Sequence, residues 1–313
     1  MDKLLYCLAR ALVALLQTLP LTWVARLGRA GGALAYWLDA RHRRVALRNL
    51  TMCFGGEKSP AEIRALAREN FRRLGENYAC AARTAVMTRE QLEPHLEFVN
   101  VEHLRAWRAA TPPRSVVMAI GHFGNFELYA LYGQFMPPIQ VAATYRGLRQ
   151  PSFNRLMQEL REHTGCLFFE RRTEGAALRA ALKERPLLVA LLVDQHPGEK
   201  GVRLPFLGTP CNHSTAPAIF ALRYHCVLIT SICCRVGLGR WRIETGPEIP
   251  TQENGKARSV EAITAEIVHA HEAAVRRDPA NWFWVHRRWR PAEGRRPKSE
   301  IRNPELAETA EER

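Results

Sequence analysis

Beyond Pro112-Pro113 the chain alternates between short apolar runs and segments of helical periodicity, which limits the possible folds more than any other feature. Residues 115–120 are an apolar run, 125–135 read as helix, 141–145 as strand and 152–163 as helix. Residues 167–170 follow as strand, 174–184 as helix and 187–193 as a strongly apolar strand. A helix at 215–224, strands at 227–235 and 241–245, and a helix from about 259 to 276 complete the pattern. Such alternation predicts an α/β fold, a mostly parallel central sheet flanked by helices in an αβα sandwich. The runs 115–120 and 187–193 suit its central strands, which are buried on both faces.

The first 110 residues read differently. Residues 4–19 are apolar but broken by Arg10 and stopped by Pro20. As a helix they would span roughly 24 Å, short of a bilayer crossing, which takes about 20 apolar residues. A second apolar stretch, 23–38, carries Arg26, Arg29 and several glycines. No small-residue cleavage site with a polar flank follows, which argues against a secretory signal. Two membrane-associated helices lying in one leaflet fit this pattern, with Arg10, Arg26 and Arg29 reaching to headgroups. A hairpin buried against the main domain is the alternative. The basic cluster Arg41, Arg43, Arg44 and Arg48 follows directly and suits an anionic cytoplasmic membrane surface.

Residues 41–110 read as helical throughout. Ser59-Pro60-Ala61-Glu62 offers an N-cap, a proline at the first helical position and an acid in the first turn. Ile63, Leu66, Ala67, Phe71, Leu74 and Tyr78 share one helical face, and Arg64, Arg68, Arg72 and Arg73 decorate the other as a solvated row. The expected organisation is a membrane-associated helical anchor at 1–40, a helical subregion at 41–110, an α/β core at 111–290 and a polar tail at 291–313.

Forty-five Lys+Arg against 31 Asp+Glu leave a formal charge of +14, so an anionic partner is favoured. Nucleic acid, anionic lipid headgroups and an acidic protein all qualify. Eight cysteines are scattered without a C-x-x-C pair, which suits reduced thiols better than a zinc site, and no metal is expected.

The strand expected to end at Ile120 delivers the chain into Gly-His-Phe-Gly-Asn-Phe-Glu, residues 121–127. In open α/β sheets the active site lies beyond the carboxyl ends of the strands. Five positions along a regular helix would turn His122 and Glu127 apart. The spacing works if His122 is still in the loop and Asn125 caps the next helix, putting Glu127 in its first turn. Glu127 would then accept a hydrogen bond from one imidazole nitrogen and raise the basicity of the other. Gly121 and Gly124 would let the backbone approach a substrate closely. Such an imidazole is a general base for an alcohol or water. No G-x-S-x-G elbow and no cysteine stands beside it, which favours direct transfer to a hydroxyl over a covalent route. The structural alternative is a satisfied loop histidine with a helix-dipole carboxylate.

This segment resembles the H-x4-D/E signature of glycerolipid acyltransferases, in particular the bacterial lipid A biosynthesis acyltransferases that add lauroyl or myristoyl chains. The likeness continues through RRVALRNLTMCF (43–54), AEIRALARENFRRLGENYAC (61–80), TYRGLRQPSFNRLMQELREHTG (144–165), LLVDQHPGEKGVRLPFLGTP (191–210) and NWFWVHRRWR (281–290). Enzymes that acylate phosphatidylinositol mannosides share much of this pattern. The resemblance implies His122 as general base with Glu127 as its partner, and Arg146 and Arg161 near an anionic headgroup or the acyl donor. Asp194 ends the second central strand at the same rim and could orient His122 or an arginine, with Gln195 beside it. Asn125 reads first as a helix cap and completes the substrate-binding set. Arg287, Arg288 and Arg290, interleaved with Trp282, Trp284 and Trp289, suit either a membrane-interface belt or a packed end-strand.

The function so implied moves a fatty acyl chain from acyl carrier protein or acyl-CoA to a hydroxyl of a membrane glycolipid, a lipid A precursor. No cofactor is needed, and the inner membrane's cytoplasmic face is the expected location. Acylation of another lipid such as a phosphatidylinositol mannoside, hydrolysis by an esterase or thioesterase, and nucleic-acid binding are the alternatives. The charge permits the last, but no nucleic-acid-binding motif supports it.

Overall fold

The computed structural model describes residues 2–148, 150–198 and 201–289; Arg290 and the expected polar tail lie outside them. The helices α1 (Asp2–Thr18) and α2 (Leu21–Leu38) flank Pro20. In α3 (Ala40–Phe54) the Asp39 side chain caps the His42 N–H. In α4 (Pro60–Thr84) Ser59 and Glu62 form a reciprocal capping box, as their spacing predicts.

α2 crosses α4 at unusually close range because the contact is made of glycines. A Cβ on Gly32 would lie 2.1 Å from the Phe71 carbonyl oxygen, and one on Gly75 would lie 2.2 Å from that of Gly28. Beside this crossing Glu76 is fully buried. It accepts from Arg29 at 3.2 Å, from Arg235 at 2.8 Å and from the Gly239 N–H at 2.9 Å. An unpaired carboxylate there would cost several kcal/mol, so the network holds α2, α4 and the sheet in one arrangement. Arg29 also grips Glu69 through two bonds, of 3.1 and 2.9 Å. It is therefore an internal fastener and does not reach toward headgroups as the sequence suggested. Arg73 likewise leaves the expected solvated row to pair with Glu69 and Asp278.

The short α5 (Arg89–Leu92) leads into strand β1 (Leu96–Val99) and helix α6 (Glu102–Ala109). β1 corrects the reading of 41–110 as helical throughout. Four residues are too few to show a period, and β1 is a strand because a neighbour far along the chain pairs with it.

The core continues with β2 (Val116–Ile120), α7 (Tyr132–Phe135), β3 (Val141–Tyr145), α8 (Pro151–Glu162), β4 (Leu167–Glu170), α9 (Gly175–Glu184) and β5 (Leu188–Leu192). A β6 (Val202–Phe206) and β7 (Thr209–His213) hairpin, absent from the sequence reading, precedes α10 (Ala216–Tyr224), β8 (Val227–Gly237) and β9 (Arg240–Glu248). The two-residue strands β10 (Gln252–Glu253) and β11 (Lys256–Ala257) and helix α11 (Val260–Arg277) follow. The main sheet has the order β1-β9-β8-β2-β5-β3-β4. Only the β8–β9 pair is antiparallel, so the expected mostly parallel sheet is present, with β2 and β5 inside it.

Val117, Ala119, Val189 and Leu191 pack with α9, α10 and α11 on one face. On the other, Met118, Ile120 and Ala190 meet α2, α4 and the residues after β2. Those residues form a 3₁₀ turn, Phe126–Leu131, before α7, where a single helix was expected. Among the described residues no helix is long and apolar enough to cross a membrane.

Replacing Gly32 by alanine should force α2 off α4 and destabilise the fold by about 1–3 kcal/mol, the usual cost of overpacking. Thermal melting checks this; an unchanged midpoint would contradict the close crossing.

Candidate active site

β2 and β5 are parallel neighbours, with Ile120 opposite Leu192. Two residues beyond each strand end, His122 and Asp194 therefore emerge side by side at the same rim. Asp194 is buried, and one carboxylate oxygen accepts from His122 Nδ1 at 2.6 Å. The other accepts from the His122 backbone N–H at 2.7 Å and from Trp282 Nε1–H at 2.8 Å. Burial alone would push the Asp194 carboxyl up, but the charge and hydrogen bonds of His122, with nearby His271, hold it well below its usual range. An ionised carboxylate on Nδ1 places the imidazole proton there and leaves the Nε2 lone pair free to accept. The Gln195 side-chain amide nitrogen stands 3.3 Å from Nε2. Phe126 and Phe283 bracket the ring at centroid distances of 4.8 and 5.5 Å.

The carboxylate partner of His122 is thus Asp194, and the expectation that Glu127 would bind the imidazole is corrected. Glu127 does lie in the first turn after the loop, yet its carboxylate accepts from Arg161 Nη2 at 2.9 Å. The reason is register: pairing of β2 with β5 brings Asp194 to Nδ1, and Glu127 follows the 3₁₀ turn toward α8. Asn125 is buried and makes no side-chain cap bond; its amide reaches Thr84 Oγ1 at 3.4 Å. Gly124 has φ +51°, and a Cβ there would lie 2.6 Å from the Cys233 carbonyl oxygen. That glycine is required by packing on β8, where the sequence suggested substrate approach.

Residues 279–289 form a strap behind the site. Asn70 donates to the carbonyls of Ala280 and Trp282, and Asn49 to those of Trp284 and His286, at 2.6–3.0 Å. Buried Arg288 donates to the Asp194 carbonyl at 2.6 Å and lies 2.8 Å from His213 Nδ1. Trp282, Trp284 and Arg288 are all but inaccessible, so this part of the tryptophan–arginine segment is a packed strap and not an interface belt. Sequence reasoning gave no individual role to Trp282, Arg288, His213 or His271. The dense alternation of tryptophan and arginine was the available signal.

His122 opens into a cleft of about 1310 Å³ also lined by Glu127, Arg146, Arg161 and Gln195; Asp194 and Asn125 lie behind its wall. Ile120, Ala143, Ala190, Leu192 and Phe168 give it an apolar floor, while Arg171 and Arg172 join Arg146 at an exposed rim. Arg161 stands 4.9 Å over the Phe168 ring and 5.4 Å over that of Tyr145. No cysteine is among the cleft's lining residues, and burial pushes the nearby Cys166 thiol up to about 12, unsuited to act as a nucleophile. The arrangement suits proton abstraction from a hydroxyl held beside an apolar chain and an anionic group.

Burial, with the Arg288 charge, depresses the His213 imidazole to about 3, against an ordinary value of 6.5. Below about pH 6.5 the unfolded chain binds a proton here that the fold refuses, so stability falls as pH falls, by up to about 1.4 kcal/mol per unit. Buried His271 is shifted in the same direction. The depressed Asp194 adds to the loss below its own unfolded value of about 3.9. Melting between about pH 7 and pH 5 should show this slope, and His213→Gln should flatten it. A parent protein equally stable at both ends would contradict the buried neutral imidazole.

The family of bacterial lipid A biosynthesis acyltransferases matches residues 2–291. The phosphatidylinositol mannoside acyltransferase of Mycolicibacterium smegmatis is 25% identical over 249 residues, covering 77% of this chain and 78% of that protein. The lipid A biosynthesis palmitoleoyltransferase of Escherichia coli K12 is 25% identical over 285 residues, covering 87% and 86%. A lipid A biosynthesis acyltransferase of Shigella flexneri matches to the same extent. With a match spanning nearly its whole length, the chain belongs to the bacterial lipid A biosynthesis acyltransferase family and is an acyltransferase.

Proposed function

We propose that this enzyme transfers a fatty acyl chain from an acyl thioester, on acyl carrier protein or coenzyme A, to a hydroxyl of a membrane glycolipid, a lipid A precursor. The observation that carries this reading is the His122–Asp194 pair opening on a cleft with an apolar floor and an arginine rim. His122 Nε2 takes the proton of the acceptor hydroxyl. The oxygen attacks the thioester carbonyl, a C–O bond forms, and the C–S bond breaks as the tetrahedral intermediate collapses. The departing thiolate recovers the proton from the imidazolium. Asp194 stabilises that imidazolium, and the Gln195 amide, displaced from Nε2 by the hydroxyl, is placed to donate to the oxyanion. Glu127 fixes Arg161 in the wall of the cleft, and Arg146 at the rim can meet an anionic group of the substrate. The same geometry would serve a phosphatidylinositol mannoside acceptor.

The protein would work at an anionic membrane surface on the cytoplasmic side. Leu4, Leu8, Leu12 and Leu15 form one exposed stripe on α1, and Trp23, Leu27, Leu34 and Trp37 another on α2. Each of these eight side chains is at least half exposed, which favours a leaflet as their counterpart. Arg26, Arg41, Arg44 and Arg48 are exposed on the same helices and on α3, where they would meet anionic headgroups.

Incubation with both kinds of acyl thioester and a bacterial lipid extract, followed by mass spectrometry, should yield a glycolipid gaining one acyl chain. His122→Ala should abolish the gain, and Asp194→Asn should slow it by roughly 10²–10⁴-fold. Glu127→Gln should mainly raise KM. Free fatty acid alone would indicate hydrolysis, and transfer by His122→Ala at the parent rate would remove the base assignment.

On flotation with vesicles containing anionic lipid, the parent should float, and a Leu8→Glu/Leu12→Glu variant should remain largely at the bottom. Equal flotation of both would rule out the α1 stripe as the membrane contact.

A further inference from the structure

The floor of the cleft bears on how acyl chain length is selected, an inference that rests on His122 marking the reaction centre. Side chains alternate between the faces of a strand, so residues in register across neighbouring strands form rows on one face. Ala190 of β5 stands opposite Ala143 of β3, which stands opposite Phe168 of β4. Ile120 and Leu192 share that face two positions further on, next to His122. All five line the cleft. Two alanines set between larger side chains leave a trough across the sheet. Tyr129 and Ala130 of the 3₁₀ turn and Met157 of α8 supply its other wall.

An aromatic ring stands at the sheet edge of the trough. Phe168 lies on the sheet's edge strand, braced by Tyr145 at a ring-centroid distance of 6.4 Å and covered by the Arg161 guanidinium at 4.9 Å. Arg161 is in turn fixed by Glu127. Three strand spacings separate β2 from β4, a length of about 14 Å. The floor is thus apolar from His122 outward, and a supported aromatic ring stands on its edge strand.

We propose that the acyl chain being transferred lies across the sheet over Ala190 and Ala143, and that Phe168 is the stop that fixes its length. The thioester carbonyl then sits between His122 and Gln195, while the methyl end meets the Phe168 ring. A filled floor shortens the chain accepted, and removal of the stop lengthens it. These opposite shifts distinguish a length-measuring trough from general damage to the cleft.

The test uses the full-length protein with a ladder of saturated acyl thioesters stepped by two methylenes, reading kcat/KM for transfer at each length. Each methylene that gains or loses its place should change kcat/KM by about fourfold. Ala143→Leu should move the optimum to shorter chains and Phe168→Ala to longer ones, changing the long-to-short ratio by roughly tenfold or more. In parallel, a donor with a photoreactive group at the methyl end should label Phe168 and its neighbours in the parent protein, which requires no variant to fold.

Unshifted profiles in both variants, or labelling away from β3 and β4, would overturn the trough while leaving acyl transfer intact. Profiles that followed the acceptor's acyl chains and not the donor's would overturn it too, assigning the trough to the acceptor. A parent protein that transferred no acyl chain at any length would instead remove the reading on which the trough rests.

Discussion

The site depends on one buried carboxylate. Asp194 receives three hydrogen bonds, two from His122 and one from Trp282, and its own carbonyl receives a fourth from Arg288. A carboxylate this deep would normally gain a proton. Donors on every side keep it ionised, and the ionised form sets the histidine tautomer. The lone pair on Nε2, which faces the Gln195 amide and suits general-base chemistry, follows from that arrangement.

The rest of the molecule holds Asp194 and His122 at that separation. β2 and β5 present them on adjacent parallel strands, so their spacing follows from hydrogen-bonded backbone. The strap at 279–289 closes behind them, and α3 and α4 hold its carbonyls through Asn49 and Asn70. α4 is itself anchored to the sheet by Glu76 through Arg235 and Gly239. The helix that carries the exposed tryptophans, tied to Glu76 by Arg29, is thus mechanically continuous with the His122–Asp194 pair. Rigid support of this kind fixes the separation of the two side chains, and in a site that holds reacting groups small displacements are costly.

Much of this was legible in the sequence, and what was legible had a periodic or local cause. The apolar runs at 115–120 and 187–193 became β2 and β5 because nearly every position there is apolar and buried on both sides. The capping box at Ser59 formed because it needs only neighbours. Strand β1 was missed because it is short and its stabilising partner, β9, comes some 150 residues later (from Leu96 to Trp241). The role of Arg29 was misread for a related reason: an arginine in an apolar stretch looks the same whether it faces headgroups or carboxylates on another helix.

The active site divides along the same line. The sequence by itself determined that a histidine follows a central strand between glycines, that a carboxylate and an amide follow the other central strand, and that arginines and apolar segments stand nearby. Those are matters of composition and of period. Tertiary structure decided which carboxylate pairs with His122, because Asp194 and Glu127 are both plausible on the chain and only the β2–β5 register brings one of them to Nδ1. It also decided that Trp282 and Arg288 face inward and that two alanines line up beneath the cleft. The physical reason is that hydrogen bonds and van der Waals contacts reach only a few ångströms, and which residues come within that reach is set by strand pairing and helix crossing.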